Sequence, residues 1–201
     1  MLRSVKGKGE LSAQKHPRVN VAKWVDFSSK YGVGYLMNEG TAGVFFNDGT
    51  KIVTQRGSRN FTYIDRKTTV FDFSDQLTED IERKCHLLRN FRNYLTKKDK
   101  CLNSQLPDSE AQPVAQGSIF VRKWLKKGAA TIFCFNNRST QAYFKDKSEV
   151  FLDHQTHEVL FLTAEGELTA VPKDLAGENR ELTRRLRFIK EALTKGTRPE
   201  G

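Results

Sequence analysis

Short apolar runs separated by turn residues fill the first part of the chain, and they predict β-strands. The runs are rich in β-branched and aromatic residues and are bounded by Gly, Asn or Asp, which is typical of antiparallel sheets. They lie at 32–37, 42–46, 51–55, 60–65 and 68–73. The tripeptide Asn47-Asp48-Gly49 favours a tight hairpin, because Asp-Gly tolerates the positive φ that a primed turn needs. The pattern predicts five antiparallel strands.

A change to helical spacing of the apolar residues follows these strands and predicts a helix. Ser74 is a suitable N-cap, and Asp75, Glu79 and Asp80 suit the positive end of a helix dipole. The apolar stripe consists of Leu77, Ile81, Cys85, Leu88 and Leu95, widened by Phe91 and Tyr94. We expect this stripe to pack across the sheet.

The same order of elements recurs in the second half of the chain. Strand-like runs lie at 130–135, 140–144, 149–152, 158–163 and 167–171, and Leu182, Leu186, Ile189 and Leu193 follow at helical spacing. Trp24 and Trp124 mark the start of the two copies, and we pair the turn at Phe46-Asn47 with the turn at Phe135-Asn136. A duplicated unit predicts a tandem module whose natural binding site is the seam between the copies.

An antiparallel sheet with one helix across it, made twice, is an α+β architecture. We expect an N-terminal arm at 1–21, a first copy at 22–102, a linker at 103–117, a second copy at 118–195 and a tail at 196–201. The linker contains Pro107 and Pro113 among small polar residues, as linkers commonly do.

Composition and charge narrow the functional classes only in part. The 201 residues are 37% hydrophobic and carry a formal net charge of +10. The electrostatic field of such a basic surface attracts phosphorylated proteins, acidic cytoskeletal polymers and nucleic acid alike. No apolar run approaches the roughly 18 residues that a membrane span needs, so we expect no membrane insertion. The odd set of Cys85, Cys101 and Cys134 favours reduced thiols in an intracellular protein.

No catalytic constellation emerges from the sequence. It contains no glycine-rich loop followed by a strand lysine, no His-Arg-Asp motif and no Asp-Phe-Gly motif. His154 and His157 have no second pair of ligands near them in sequence, so we expect neither a metal nor a cofactor. The prediction is a binding module rather than an enzyme.

Several segments of the first copy closely resemble the first polo box of Polo-like kinases. They are 23–35 (KWVDFSSKYGVGY), 43–50 (GVFFNDGT), Tyr63-Ile64 and 87–94 (LLRNFRNY). The second copy is similar to the second polo box through 122–124, 132–137 and 184–187, more by order and spacing than by letter. The resemblance covers about residues 22–195.

The resemblance implies two polo boxes, each a sheet of five or six strands with one helix, docked with pseudo-twofold symmetry. In the family, this pair targets a serine/threonine kinase to peptides of docking proteins that are phosphorylated on Ser or Thr, and it can restrain the kinase domain. It also implies a cell-cycle role in mitosis at cytoskeletal sites in the cytoplasm, such as the centrosome, the basal body and division structures, with a nuclear location left open.

The resemblance further assigns a peptide cleft between the boxes. The peptide packs against Trp24, next to Val25, and a His and a Lys within an Asp-His-x-Lys motif hold the phosphate. This chain has Lys147 and Glu149 at those two positions. We expect Lys145, Lys147 and Glu149 to share one face of an extended segment, where Glu149 repels a phosphate and Lys145 compensates.

Two further features of the family have counterparts here. A leucine pair after the first helix, whose backbone contacts the peptide, corresponds to Asp99 and Lys100. An apolar pocket beside the peptide groove corresponds to Phe27, Tyr31, Leu87, Phe91 and Tyr94, together with Val25. Packing between sheet and helix explains Leu87 and Phe91 at least as well.

Three functions stay open at this point. The first is a docking module that reads peptides in the cleft between the boxes, with or without phosphorylation. The second is a phosphorylation-independent scaffold of the same fold that works through protein interaction or through self-association, for example as a homodimer. The third, nucleic-acid binding, is supported by charge alone.

Overall fold

The computed structural model describes residues 18–58, 60–67, 69–73, 78–97 and 118–195. These residues form two compact units, and each unit contains its own antiparallel sheet. Both sheets have six strands in sequential order, so each is a meander in which every strand pairs with the next.

The first unit comprises six strands and one helix. The strands are β1 (Val21–Phe27), β2 (Gly32–Met37), β3 (Ala42–Phe46), β4 (Lys51–Thr54), β5 (Phe61–Ile64) and β6 (Val70–Phe73). The helix α1 (Glu79–Lys97) packs across one face of the sheet, where Val44 and Ile52 meet Leu88 and Phe91 in a common core. Burial of these apolar side chains holds the helix to the sheet.

The second unit repeats this arrangement. Its strands are β7 (Val121–Lys127), β8 (Ala130–Phe135), β9 (Thr140–Phe144), β10 (Glu149–Leu152), β11 (Glu158–Leu162) and β12 (Leu168–Pro172). One 3₁₀ turn (Ala176–Glu178) precedes the helix α2 (Arg180–Lys195). Ile132 and Val150 of the sheet pack with Leu182 and Ile189 of α2.

The α+β fold and the repeated order of elements are confirmed, with six strands per sheet. The strand that opens each sheet, β1 or β7, was not among the runs that the pattern predicts. These strands mix basic and apolar residues, and each has a register shift in its pairing, between Val21 and Lys23 or between Val121 and Lys123. Such an irregularity breaks the strict alternation by which strands are recognised.

The hairpin at Asn47-Asp48-Gly49 is present, but its turn differs from the one we expect. The Phe46 N–H donates to the Thr50 oxygen at 2.9 Å, and the Gly49 N–H donates to the Phe46 oxygen at 3.0 Å. Gly49 has a φ of 82°, and Asp48 has no positive φ. The loop is therefore a three-residue turn that ends in a left-handed residue, not a two-residue primed turn.

The turn after β9 has the same construction, and the positions of the strands correct the pairing of the two copies. Phe144 donates to Ser148 and Lys147 donates to Phe144, both at 3.0 Å, and Lys147 has a φ of 70°. β2, β3 and β4 precede β8, β9 and β10 by 98 positions each. The counterpart of Phe46-Asn47 is thus Phe144-Lys145; Phe135-Asn136 belongs to the preceding hairpin.

Several expectations about boundaries are not decided by the structure. α1 begins at Glu79, while Ser74, Asp75 and Leu77 lie outside the described residues. The proposed arm, linker and tail also lie outside them, apart from residues 18–21, and the domain limits stay predictions. Within the described part of the chain, neither helix combines the length and the apolar character that crossing a bilayer requires.

Candidate functional site

The first unit places Trp24 and Val25 on opposite faces of its sheet. Val25 packs with the core under α1, and alternation along a strand turns Trp24 to the face away from the helix. Trp24 is half-buried and stands opposite Tyr35 in the pairing of β1 with β2. Of the two predicted cleft residues in β1, only Trp24 therefore lies on the helix-free face.

The turn between β9 and β10 presents Lys145 and Lys147. Both side chains are exposed, and the left-handed φ of Lys147 places it at the bend of the turn. A lysine in this conformation carries a steric cost that Gly49, its counterpart in the first unit, avoids. The expected extended path from Lys145 through Lys147 to Glu149 is therefore wrong, because a tight turn separates the lysines from the strand.

Glu149 is a buried acid on the helix-free face of the second sheet. Its neighbour Val150 packs under α2, whereas Glu149 is 7% exposed and accepts a hydrogen bond from Gln141 Nε2 at 2.7 Å. The same Nε2 donates to the Tyr143 hydroxyl at 2.8 Å. Burial raises the pKa of Glu149 to about 7, and the hydrogen bonds from Gln141 and Tyr143 limit that rise. Glu149 is thus held by its neighbours instead of standing beside Lys147.

Asp146, which the phosphate-binding motif shares with this chain, is bound to α2. Its carboxylate forms an ion pair with Arg185, whose Nη2 also lies 3.0 Å from Glu181 Oε1. The Arg185 guanidinium lies 4.4 Å from the centroid of the Phe144 ring. Burial alone would raise the pKa of Asp146, but the bonds from Arg185 and Ser148 outweigh it and lower the pKa to about 2.

The first unit contains the same cluster at equivalent positions, which the sequence analysis missed. Lys84 Nζ lies 2.7 Å from Asp48 Oδ2 and 2.9 Å from Asp80 Oδ2, and it lies over the Phe46 ring. The similarity of segments 46–50 (FNDGT) and 144–148 (FKDKS), which align on Asp48 and Asp146, is the sequence feature that indicates the repeated cluster. In both units a buried helix cation therefore ties the turn after the third strand to the helix.

Only some of the residues predicted for the apolar side pocket of the first unit are exposed to solvent. Phe91 is buried in the core beneath β2, and its ring centroid lies 5.7 Å from that of Phe27, which is 43% exposed. Tyr94 is 48% exposed, whereas Tyr31 and Leu87 are half-buried against the same core. The predicted residues thus lie along one side of α1, with Leu87 and Phe91 contributing to the packing of sheet and helix.

The remaining candidates include residues that the structure does not describe. Asp99 and Lys100 lie outside the described residues. Across the residues that the structure does describe, no three acidic, cysteine or histidine side chains come together as metal ligands would. Cys85 is buried, and that burial raises its pKa to about 11, which leaves it a thiol near neutral pH.

Comparison with known proteins identifies the family. The family described as "POLO box duplicated region" matches residues 29–99. The probable serine/threonine-protein kinase CCRP1 of Zea mays is 36% identical over 148 residues, which cover 71% of this chain and 23% of that protein. PLK1 of Xenopus laevis is 28% identical over 184 residues, which cover 87% of this chain and 30% of that kinase. The chain thus spans less than a third of these relatives.

Solved structures share the fold. The polo-box domain of budding yeast Cdc5 in complex with an Spc72 phosphopeptide has a TM-score of 0.67 at 23% identity, covering 90% of this chain and 72% of that one. The same domain in complex with the Dbf4 polo-interacting region has a TM-score of 0.66 at 22% identity, covering 94% and 76%. By its match to the polo-box family model and its 36% identity to CCRP1, with the shared fold in agreement, this chain belongs to the polo-box family of the Polo-like kinases, as a non-catalytic domain.

Proposed function

We propose that this chain is a docking module that binds peptide segments of partner proteins in a cleft between its two polo boxes. The binding surface consists of the helix-free faces of the two sheets, with Trp24 on one and the turn of Lys145 and Lys147 beside the other. Cdc5, whose polo-box domain has this fold, is described in complex with peptide segments of two different proteins, and that precedent supports a docking role.

We further propose that phosphorylation of the peptide is not required for binding. The observation that carries this proposal is Glu149, a buried acid at the position where the family has its phosphate-binding lysine. Lys147 remains as a donor, but a phosphate is a dianion that needs several cations already in place. A carboxylate in place of a cation costs on the order of 1 to 3 kcal/mol, roughly tenfold or more in affinity.

Titration of matched peptides tests both proposals. A peptide selected from a library on the wild-type chain would be measured with its Ser or Thr unmodified and phosphorylated. We expect the two dissociation constants to differ by less than about tenfold. Trp24→Phe should weaken both peptides alike, whereas Lys147→Gln should weaken only the phosphorylated one.

The decisive variant restores the missing cation. Glu149→Lys should increase the preference for the phosphorylated peptide by about tenfold or more, because it restores a second donor. Glu149→Gln, which keeps the size of the side chain, should increase it by a smaller factor. A wild-type preference above about a hundredfold would contradict phosphorylation-independent docking, and indifference to Trp24→Phe would contradict the cleft.

The role of the parent protein follows from the same family. We propose that it is a serine/threonine kinase and that this module brings the kinase to centrosomes, basal bodies or division structures and restrains the kinase domain when unoccupied. A tagged full-length protein whose location persists after Trp24→Phe would contradict the targeting role. Sedimentation of the chain at micromolar concentrations checks the alternative scaffold, which requires a dimer.

A further inference from the structure

The outward face of α2 carries a row of basic side chains. Arg180, Arg184 and Arg187 are exposed and follow one another at steps of four and three residues, with Lys190 beside them. At about 1.5 Å per residue, the three arginines span roughly 10 Å, about one Debye length at physiological salt. Their fields therefore add, and we call these four residues the α2 basic face.

The nearby acids do not neutralise this face. Glu181 and Asp146 both bind the buried Arg185, whose single positive charge offsets one of their two negative charges. Glu191 is the other acid of α2, and it is exposed. The four exposed cations and Arg185 thus carry five positive charges against the three negative charges of Glu181, Asp146 and Glu191, so the face keeps a net positive charge.

The first unit supplies an internal comparison, because Lys84 and Arg185 occupy equivalent positions on the two helices. The counterparts of Arg180 and Arg184 are then Glu79 and Arg83, and Arg83 pairs with Asp80 at 2.8 Å. The corresponding face of α1 is therefore mixed in charge and partly paired. Because the fold is the same, a basic outer face is not a requirement of the fold.

We propose that the α2 basic face is a second docking surface, which binds an acidic polypeptide segment of a partner protein. Guanidinium groups bind carboxylates through two parallel hydrogen bonds, and three arginines one turn apart match a segment rich in Asp and Glu. This surface goes beyond the proposed peptide cleft, and it uses none of the residues assigned to that cleft.

Other polyanions fit this face less well. Binding of single-stranded nucleic acid uses exposed aromatic rings for stacking, and within residues 118–195 no aromatic side chain is exposed. Insertion into a membrane surface needs an apolar helix face, but Leu182, Ile189 and Ala192 of α2 are buried against the sheet. Without exposed rings for stacking or an apolar face for insertion, the face offers only charge and hydrogen-bond donors, which a carboxylate-rich polypeptide segment matches.

The test compares two triple variants with the same net charge. One variant is Arg180→Gln/Arg184→Gln/Arg187→Gln on the α2 basic face. The control is Arg122→Gln/Lys126→Gln/Arg138→Gln, which removes exposed cations from β7 and from the turn after β8. Circular dichroism checks that both variants fold. The probes are a labelled peptide of alternating Glu and Ser, an oligonucleotide of equal charge and vesicles that contain anionic lipid.

The outcomes distinguish binding by the α2 basic face from nonspecific attraction by the net positive charge of the chain. We expect the α2 variant to weaken binding of the acidic peptide by about tenfold and the control to change it by less than about twofold. Equal weakening by the two variants, no measurable binding of the acidic peptide, or tighter binding of the oligonucleotide or vesicles would overturn the proposal. The cleft peptide should bind the α2 variant like the wild type, so failure here is distinguishable from failure of the proposed cleft.

Discussion

Replacing Glu149 with Gln should change how the stability of the chain depends on pH. Glu149 is almost fully buried, and its pKa rises from 4.5 to about 7. A carboxyl whose pKa is higher in the folded than in the unfolded state binds more protons when folded. The free energy of unfolding therefore falls as pH increases from the unfolded pKa to the folded pKa.

The magnitude follows from the size of the shift. One pKa unit corresponds to about 1.36 kcal/mol, so ionised Glu149 lowers the free energy of unfolding by about 3 kcal/mol above its folded pKa. Between about pH 5 and pH 8, wild type should lose about 2 to 3 kcal/mol from this group. Glu149→Gln does not ionise and loses none of it. The amide also introduces a donor that needs a partner, but this cost does not vary with pH.

Chemical denaturation of both proteins across this pH range measures the effect. The quantity of interest is the difference in unfolding free energy between variant and wild type, because titration of other groups cancels in it. We expect this difference to shift in favour of the variant by about 2 to 3 kcal/mol from about pH 5 to pH 8. A difference that stays constant within about 0.5 kcal/mol would refute the assignment of Glu149 as a buried acid with a raised pKa.

Three further variants test the local structure. Arg185→Met should lower the free energy of unfolding, measured by denaturation, by about 1 to 3 kcal/mol. Asp146 and Glu181 then lose their partner, but both are partly solvated, which limits the loss. A pKa of Asp146 that is the same in variant and wild type by NMR would contradict the ion pair. Gly34→Ala should lower the free energy of unfolding by about 1 to 3 kcal/mol, because a Cβ there would lie 2.4 Å from the Phe91 ring. The control Gly177→Ala has open space around it and should change the free energy of unfolding by less than about 0.5 kcal/mol. Lys147→Gly should raise the free energy of unfolding by about 0.5 to 1 kcal/mol, and the melting temperature with it, because glycine relieves the left-handed backbone. A decrease would show that the lysine side chain stabilises the turn.

Much of the fold could be predicted from the pattern of apolar residues. Runs such as 42–46 and 140–144 contain β-branched and aromatic residues and end at turn residues, so composition and turn residues together locate them. The pattern did not predict β1 and β7, because lysine and arginine interrupt the alternation of apolar residues in these strands and a register shift displaces it. Their place at the start of each sheet is a product of tertiary pairing, which local patterns do not encode.

The candidate site was harder to predict, because its chemistry depends on backbone conformation and burial. Lysine has little preference for a left-handed φ, so the segment KDKSE by itself does not predict a turn at Lys147; only its alignment with the hairpin segment FNDGT does. Burial of Glu149 follows from the register of β9 with β10, which places it opposite Tyr143. The paired clusters of Lys84 and Arg185 could have been found by aligning the two copies on Asp48 and Asp146 instead of on the Phe-Asn pairs.

The proposed cleft requires that one peptide contact both polo boxes on their helix-free faces. NMR mapping of the full chain with a library-selected peptide tests it most directly, because backbone amide shifts report contact residue by residue. The account predicts that signals around Trp24 in β1 and around Lys147 in the turn after β9 shift together, along one binding curve. Shifts confined to one box, or to the outer faces of α1 and α2, would contradict it.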